Sequence, residues 1–241
     1  DLHQAGIGVI LDWTPAQFPR FDAGLEKFDG TPLYEVQDPA MAVHPMWGTM
    51  LYNYGSPMVK DFLISNAFFW LDEFHVDGFR MDDVDAMLYL DFGREAGQWT
   101  ANLYSSNENL QALEFLKHLN SIVKKQYPGI LLIAQEDGLW PQLTDSVEND
   151  HLGFDYKWSG GWTKDLLSYL EAEPLDRRNY YDQLTLSMMY AYSEHYVLTL
   201  GKRDVGMLKE FLEKLPGSSR QKDAQLRAAY GYLMLHPGVK M

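Results

Sequence analysis

The sequence predicts an α/β fold, with a parallel sheet whose strands alternate with helices, and three observations carry that expectation. Short apolar runs recur along the chain. Residues 7–11 run up to Asp12, 78–81 up to Asp82, 130–134 up to Gln135, and 196–200 up to Gly201. Runs this short and this apolar read as strands buried on both faces, as parallel strands are. Segments with apolar residues at helical spacing lie between them, and strand–helix–strand alternation implies right-handed crossovers. Polar residues gather just after the strands, where open and closed parallel sheets alike place their sites.

The elements follow in order. Ala5-Gly6 reads as the end of a helix, and 7–11 as the first strand. Residues 17–57 are rich in Pro, Gly, Asp and Tyr. So long an irregular stretch directly after a strand is a candidate functional loop. Residues 58–74 form a helix with apolar residues at 62, 63, 67, 70 and 71, and 78–82 form the second strand. A loop-rich insert covers 88–106. A helix over 109–126 is stopped by Pro128-Gly129, and 130–134 is the clearest strand. A weaker strand is expected at 153–158, helices at 163–170 and 183–194, a last strand at 196–200, and helices at 207–214 and 221–235. His236-Pro237-Gly238 then breaks the pattern. That gives five strands, fewer than the eight of a closed (β/α)8 barrel. No internal repeat or interdomain linker is visible, so residues 1–241 read as a single domain.

Composition narrows the partners. With 46% hydrophobic residues in 241, the chain has enough apolar material for a sizeable core. It has no cysteine, which removes disulfides, thiolate chemistry and cysteine metal sites, and fits a reducing compartment. The formal charge of −14 opposes binding to nucleic acid or an anionic membrane. No apolar run approaches the roughly twenty residues of a membrane-spanning helix. Oligomeric state is not fixed by the sequence.

The polar residues at the strand ends are Asp12, Gln17, Arg80, Asp82, Asp83, Gln135, Glu136, Asp137, Lys202, Arg203 and Asp204. Any one of them could simply cap a helix or solvate a loop. Their recurrence after four strands points to a site. Arg80-Met81-Asp82 is the strongest constellation. Residues two apart on a strand face the same side, so Arg80 should lie beside Asp82 and keep it ionised. An ionised carboxylate there suits attack on a sugar anomeric carbon. A structural ion pair is the plainer alternative. Asp82, Asp83 and Asp85 also resemble a magnesium site, but Asp83 should point away from Asp82 on a strand, and Arg80 competes with a cation.

At this point a family resemblance emerges. Gly6-Ile7-Gly8-Val9-Ile10-Leu11-Asp12-Trp13 resembles the GIGVILDW motif of glycogen (1,4-α-glucan) branching enzymes. His44-Pro45-Met46-Trp47-Gly48-Thr49, followed by Asn53-Tyr54-Gly55, resembles HPDWGT…NYG. The stretch from Phe69-Trp70-Leu71-Asp72-Glu73 to Gly78-Phe79-Arg80 resembles FWLDEYHIDGLR. Leu152-Gly153-Phe154, Lys157-Trp158, Gly161-Trp162, Gln221-Lys222 and Leu226-Arg227 fall in family order too.

The resemblance implies an α-amylase-like catalytic domain over 1–241. It implies a (β/α)8 TIM barrel that is partial, holding about strands three to seven and entering the eighth. Such an enzyme cuts an α-1,4 link through a covalent glucosyl-enzyme and transfers the cut chain to a 6-hydroxyl, as in glycogen biosynthesis. The implied partner is an α-glucan such as glycogen or amylose. No cofactor or metal is implied, and the location is cytoplasmic.

Carried over by position, Arg80-Met81-Asp82 matches R-V-D, so Asp82 is the nucleophile position. The family's acid/base motif I-A-E-E-S reads Ile133-Ala134-Gln135-Glu136-Asp137, which puts Gln135 at the catalytic glutamate. An amide cannot donate a proton to a leaving oxygen. Glu136 is one step on, and could substitute if the strand bulged or had already ended. Substrate-binding positions fall on Asp12, Gln17, Arg80, Lys202 and Asp204. Two of these sites depart from the family. Gln17 replaces a sugar-contacting His, and S-H-D-E-V-V-H-G-K becomes the stretch 201–209. Its His-Asp pair is Lys202-Arg203 there, or reaches Asp204 if the gap falls earlier. The resemblance therefore implies a branching enzyme with impaired or lost turnover, or a non-catalytic relative that binds α-glucan or a protein partner.

Overall fold

The computed structural model describes residues 1–21, 23–138, 140–200 and 208–241. They form two compact units, one of residues 1–138 with 145–155, the other of 139–144 with 156–241.

The first unit is built around three parallel strands, β1 (Ile10–Trp13), β4 (Gly78–Met81) and β5 (Leu131–Gln135), with β4 in the middle. Leu11 pairs with Phe79 and Asp12 with Arg80 on one side of β4; Arg80 pairs with Ile133 and Met81 with Ala134 on the other. All four β4 residues are buried, Phe79 and Met81 completely. Gly78 is required by the packing. A Cβ there would sit 2.4 Å from the Leu131 carbonyl oxygen, closer than any side chain tolerates.

Two long helices cover these strands. Helix α2 (Pro57–Glu73) begins with Pro at its first position, where no backbone N–H is needed. It buries Val59, Leu63, Ala67 and Leu71, a strict four-residue repeat. Helix α4 (Leu110–Gln126) starts at Asn109, whose side chain accepts from the Ala112 N–H, and ends with Lys124 and Lys125 facing the negative end of the helix dipole. The long stretch after β1 is not structureless. It holds a short helix α1 (Pro39–Ala42) and an antiparallel pair, β2 (Gln17–Phe18) with β3 (Met50–Leu51). A further short helix, α3 (Val84–Leu88), follows β4 almost at once.

The second unit has three parallel strands, β6 (Tyr156–Trp158), β7 (Tyr196–Leu198) and β8 (Val239–Lys240). Its helices are α5 (Gly160–Glu171), α6 (Tyr181–Tyr190), α7 (Leu208–Lys214) and α8 (Ser219–Leu235). Trp162, Leu166, Leu198, Phe211 and Leu233 form its core. Glu194 ties in the short segment before it by accepting from the backbone N–H groups of Leu143 and Thr144.

The α/β expectation holds, and its boundaries move for local reasons. The first strand begins at Ile10, three residues late, because the Asp77 carboxylate takes the Val9 N–H at 2.6 Å. The weak strand shortens to Tyr156–Trp158, since Gly153 sits at φ 75 and the Asp155 side chain takes the Leu132 N–H. The apolar pattern read 236–238 only as a break, yet β8 follows Gly238, whose φ of 115 turns the chain into it.

Gly78→Ala should lower stability by about 1–3 kcal/mol, the usual cost of overpacking. The clashing atom is backbone and cannot rotate away. Chemical denaturation of the variant beside wild type checks this, and equal midpoints would contradict the packing described.

Candidate active site

Arg80 lies mid-ladder in β4, and its side chain is only 3% exposed. A guanidinium this buried needs partners for its charge and its donors. Nε donates to Asp12 Oδ1 at 2.7 Å. Nη2 pairs with Asp82 Oδ1 at 2.7 Å. Nη1 donates to Gln135 Oε1 at 3.1 Å. One fork therefore joins residues from the ends of the unit's three parallel strands, β1, β4 and β5. Gln135 gives Arg80 the oxygen of its amide, so it acts here as an acceptor.

Asp82 is the most enclosed of the three partners, its side chain 12% exposed against 57% for Asp12. Burial pushes its pKa up to about 6; Arg80 pulls against that, while Asp12 and Asp83 add to it. The expected effect of Arg80 is present, but burial outweighs it. At neutral pH the carboxylate still predominates, by about tenfold per pH unit above the pKa.

Asp83, expected to point away from Asp82 as a strand residue, is not on the strand: β4 ends at Met81, and Asp83 adopts φ 56, ψ 38. This left-handed conformation is uncommon for a residue with a side chain and recurs at functional positions. It lets Asp83 Oδ2 accept from Gln17 Nε2 at 3.0 Å. Gln17 Oε1 in turn accepts from the Thr49 hydroxyl. Thr49 lies in a quoted motif, but nothing in the pattern showed that its hydroxyl would fix Gln17.

Glu136 follows the last residue of β5, so it stands outside the ladder, and it is 1% exposed. Gly138 makes room for it, since a Cβ there would meet Glu136 Oε1 at 2.3 Å. Glu136, Asp137 and Asp83 all raise the pKa of Asp85, which reaches about 6 with burial as the largest cause. Acidic groups thus crowd this end of the strands, and burial, with their repulsion added, holds Asp82, Asp83 and Asp85 above the usual carboxylate range. Among the described residues, no three His, Asp or Glu are arranged to hold a metal ion. A cavity of about 320 Å³ also lies in this unit, with Ala16, Tyr52, Tyr54, Tyr89, Phe92 and Arg94 in its walls. Lys202, Arg203 and Asp204 lie outside the described residues. No described helix is long and apolar enough to cross a membrane.

No protein-family model matches the chain. Curated relatives do. The chain is 50% identical, over its whole length, to the 1,4-alpha-glucan branching enzyme GlgB of Thermobifida fusca, of which it covers 32%. It is 48% identical to the protein of the same name from Oleidesulfovibrio alaskensis, with 99% of this chain and 38% of that protein aligned. The Shewanella frigidimarina GlgB is also 48% identical, over 100% of this chain and 32% of that protein. The chain thus spans about a third of the length of the curated relatives it matches. Among solved structures, an Anoxybacillus alpha-amylase matches with TM-score 0.61 at 15% identity, over 99% of this chain and 48% of that one. The Geobacillus thermoleovorans alpha-amylase GTA, solved with acarbose, matches with TM-score 0.61 at 17% identity, over 99% and 49%. These two show a shared α-amylase-type barrel fold and nothing more. With half its residues identical to a named relative along its full length, the chain belongs to the 1,4-α-glucan branching enzyme family.

Proposed function

We propose that residues 1–241 serve as a catalytic-barrel domain of a cytoplasmic 1,4-α-glucan branching enzyme of glycogen biosynthesis, with Asp82 as nucleophile and with transfer impaired at Gln135. The observation that carries this reading is the Arg80 guanidinium held at once by Asp12, Asp82 and Gln135. Asp82 would attack the anomeric carbon of an α-1,4-linked glucose as that carbon's bond to the leaving O4 breaks. O4 needs a proton as it leaves. In the second half, a 6-hydroxyl attacks the glucosyl–Asp82 ester and must lose its proton. One carboxyl ordinarily serves both halves. Gln135 can do neither, because an amide does not exchange a proton at these pH values. Asp12, Gln17 and Arg80 remain as substrate-binding positions, with Lys202 and Asp204 as candidates from the sequence.

Gln135 also favours a second reading, a non-catalytic relative that binds α-glucan. Glu136 is the residue through which activity could survive, since it is an intact carboxyl just beyond the strand.

The two readings separate on substrates that differ in their need for acid. The full-length protein containing this chain, given amylose, should form α-1,6 links at least about 10²-fold more slowly than an intact relative, the usual worth of a positioned proton donor. Branching at a comparable rate would overturn the impairment and point to Glu136. Restoring Gln135→Glu alone should leave activity below that of the intact relative, because Gln17 and the 201–209 stretch remain altered. With α-glucosyl fluoride, whose leaving group needs little protonation, Asp82 should still be glycosylated. That rate should fall about tenfold per pH unit below about pH 6, as the Asp82 carboxylate gains its proton. A flat profile down to pH 4 would contradict the assignment of Asp82.

A further inference from the structure

Trp47 is an exposed aromatic that the site above does not use. Its side chain belongs to the turn between α1 and β3, which is pinned at its base. His44 N donates to the Thr49 carbonyl at 2.8 Å, and Gly48 N donates to the His44 carbonyl at 2.8 Å. Gly48 takes φ 68, which favours glycine at that point of the turn. Beneath the turn, Arg94 donates to the carbonyl oxygens of Ala40, Met41 and Val43, so the backbone leading into it is fixed as well.

The ring itself is also held. Trp47 stacks on His44 with centroids 3.8 Å apart and planes 12° from parallel, and Phe92 leans on both. His44 is 1% exposed, and burial pushes its pKa down to about 4, so the supporting ring is neutral at physiological pH. Trp47 nevertheless keeps 40% of its surface open. An indole stacked on a buried ring yet 40% exposed is a pre-ordered flat apolar surface, and little conformational entropy remains to be lost when a ligand covers it.

We propose that Trp47, backed by His44, is an accessory platform on which a pyranose ring of an α-glucan chain stacks, separate from the Asp82 site. This rests on the glucan reading given above. A pyranose offers a C–H face that matches a neutral aromatic plane, and it carries no charge. The chain's formal charge of −14 disfavours the other flat ligands, nucleic acid bases, because they come with phosphates. The platform lies close to the site along the chain. Thr49, two residues on from Trp47, supplies the hydroxyl that holds Gln17. One stacked ring binds weakly. A polymer that presents the same unit many times can occupy the platform and the Asp82 site together, and its avidity multiplies. The platform therefore matters for long glucans and not for small substrates.

The test uses the full-length protein with Trp47→Ala and Trp47→Phe, both compared with wild type for thermal midpoint. Retention in gels containing amylose should fall about tenfold or more for the alanine variant, a modest share of the gain available from a second site. The phenylalanine variant should keep most of it, and kcat/KM toward α-glucosyl fluoride should stay unchanged in both. In wild type, amylose should protect Trp47 from oxidation by N-bromosuccinimide, read by peptide mass mapping, so the claim does not hang on the variants folding. Amylose retention equal to wild type in Trp47→Ala, or no protection of Trp47, would overturn the platform while leaving the glucan reading standing. A wild type that binds no glucan would overturn both. Loss of self-association or of a protein partner in Trp47→Ala, with glucan binding intact, would also overturn the platform.

Discussion

Everything at the candidate site depends on one buried cation. Arg80 sits mid-strand, closed from solvent, and its charge must be answered by groups brought from neighbouring strands. Parallel pairing supplies them. Asp12 is registered directly across from Arg80 on β1, Asp82 is the residue after the end of β4, and Gln135 ends β5. Removing one partner from a buried pair is commonly worth about 3–5 kcal/mol, so the arrangement is rigid as well as charged. Gly78 belongs to the same design, since the close approach of β5 to β4 is what brings Gln135 within reach of the guanidinium.

The electrostatic balance around Arg80 is uneven, and that shapes the chemistry. A single guanidinium faces Asp12 and Asp82, while Asp83, Asp85, Glu136 and Asp137 stand close enough to act on one another. A carboxyl at position 135 would have added one more negative group beside Arg80. The neutral amide lightens that crowding and still gives Arg80 an oxygen. On the proposed reading, geometry is retained there while proton transfer is given up. The same holds for Gln17, which keeps two hydrogen-bonded neighbours, Asp83 and Thr49, without a titratable ring.

Much of this was legible in the sequence because strand alternation is a reliable ruler. Two residues apart along an extended segment means one side, so Arg80, on β4, and Asp82, just past its end, are paired as expected. Asp12 and Gln135 were legible only as residues at the same end of the sheet; that they share one fork follows from a register, Arg80 across from both Asp12 and Ile133, which the apolar runs do not give. The ruler failed where strands stop. Asp83 was read as a strand residue facing away from Asp82; it lies past the end of β4 instead, and its left-handed conformation sets it against Gln17. The antiparallel pair β2–β3 lay hidden in a stretch of Pro, Gly and Asp because two-residue strands carry no periodicity to read. Helix α3 was missed for the same reason, being only one turn long. The stacking of Trp47 on His44 depends on a turn closed by backbone hydrogen bonds, which side-chain spacing does not encode.

The claim that Arg80 arms Asp82 is open to direct measurement. With Arg80→Lys the charge is kept and the planar fork is lost, so a lysine cannot hold Asp12, Asp82 and Gln135 together. Wild-type and variant full-length proteins, matched for fold by circular dichroism, would be exposed to 5-fluoro-α-glucosyl fluoride, and the covalent adduct on Asp82 followed by mass spectrometry. The account predicts that the adduct forms on wild-type Asp82 and about 10²-fold more slowly in the variant, the scale of losing one pre-organised polar group at a reacting centre. Adduct formation at the wild-type rate in Arg80→Lys, or on a residue other than Asp82, would contradict it.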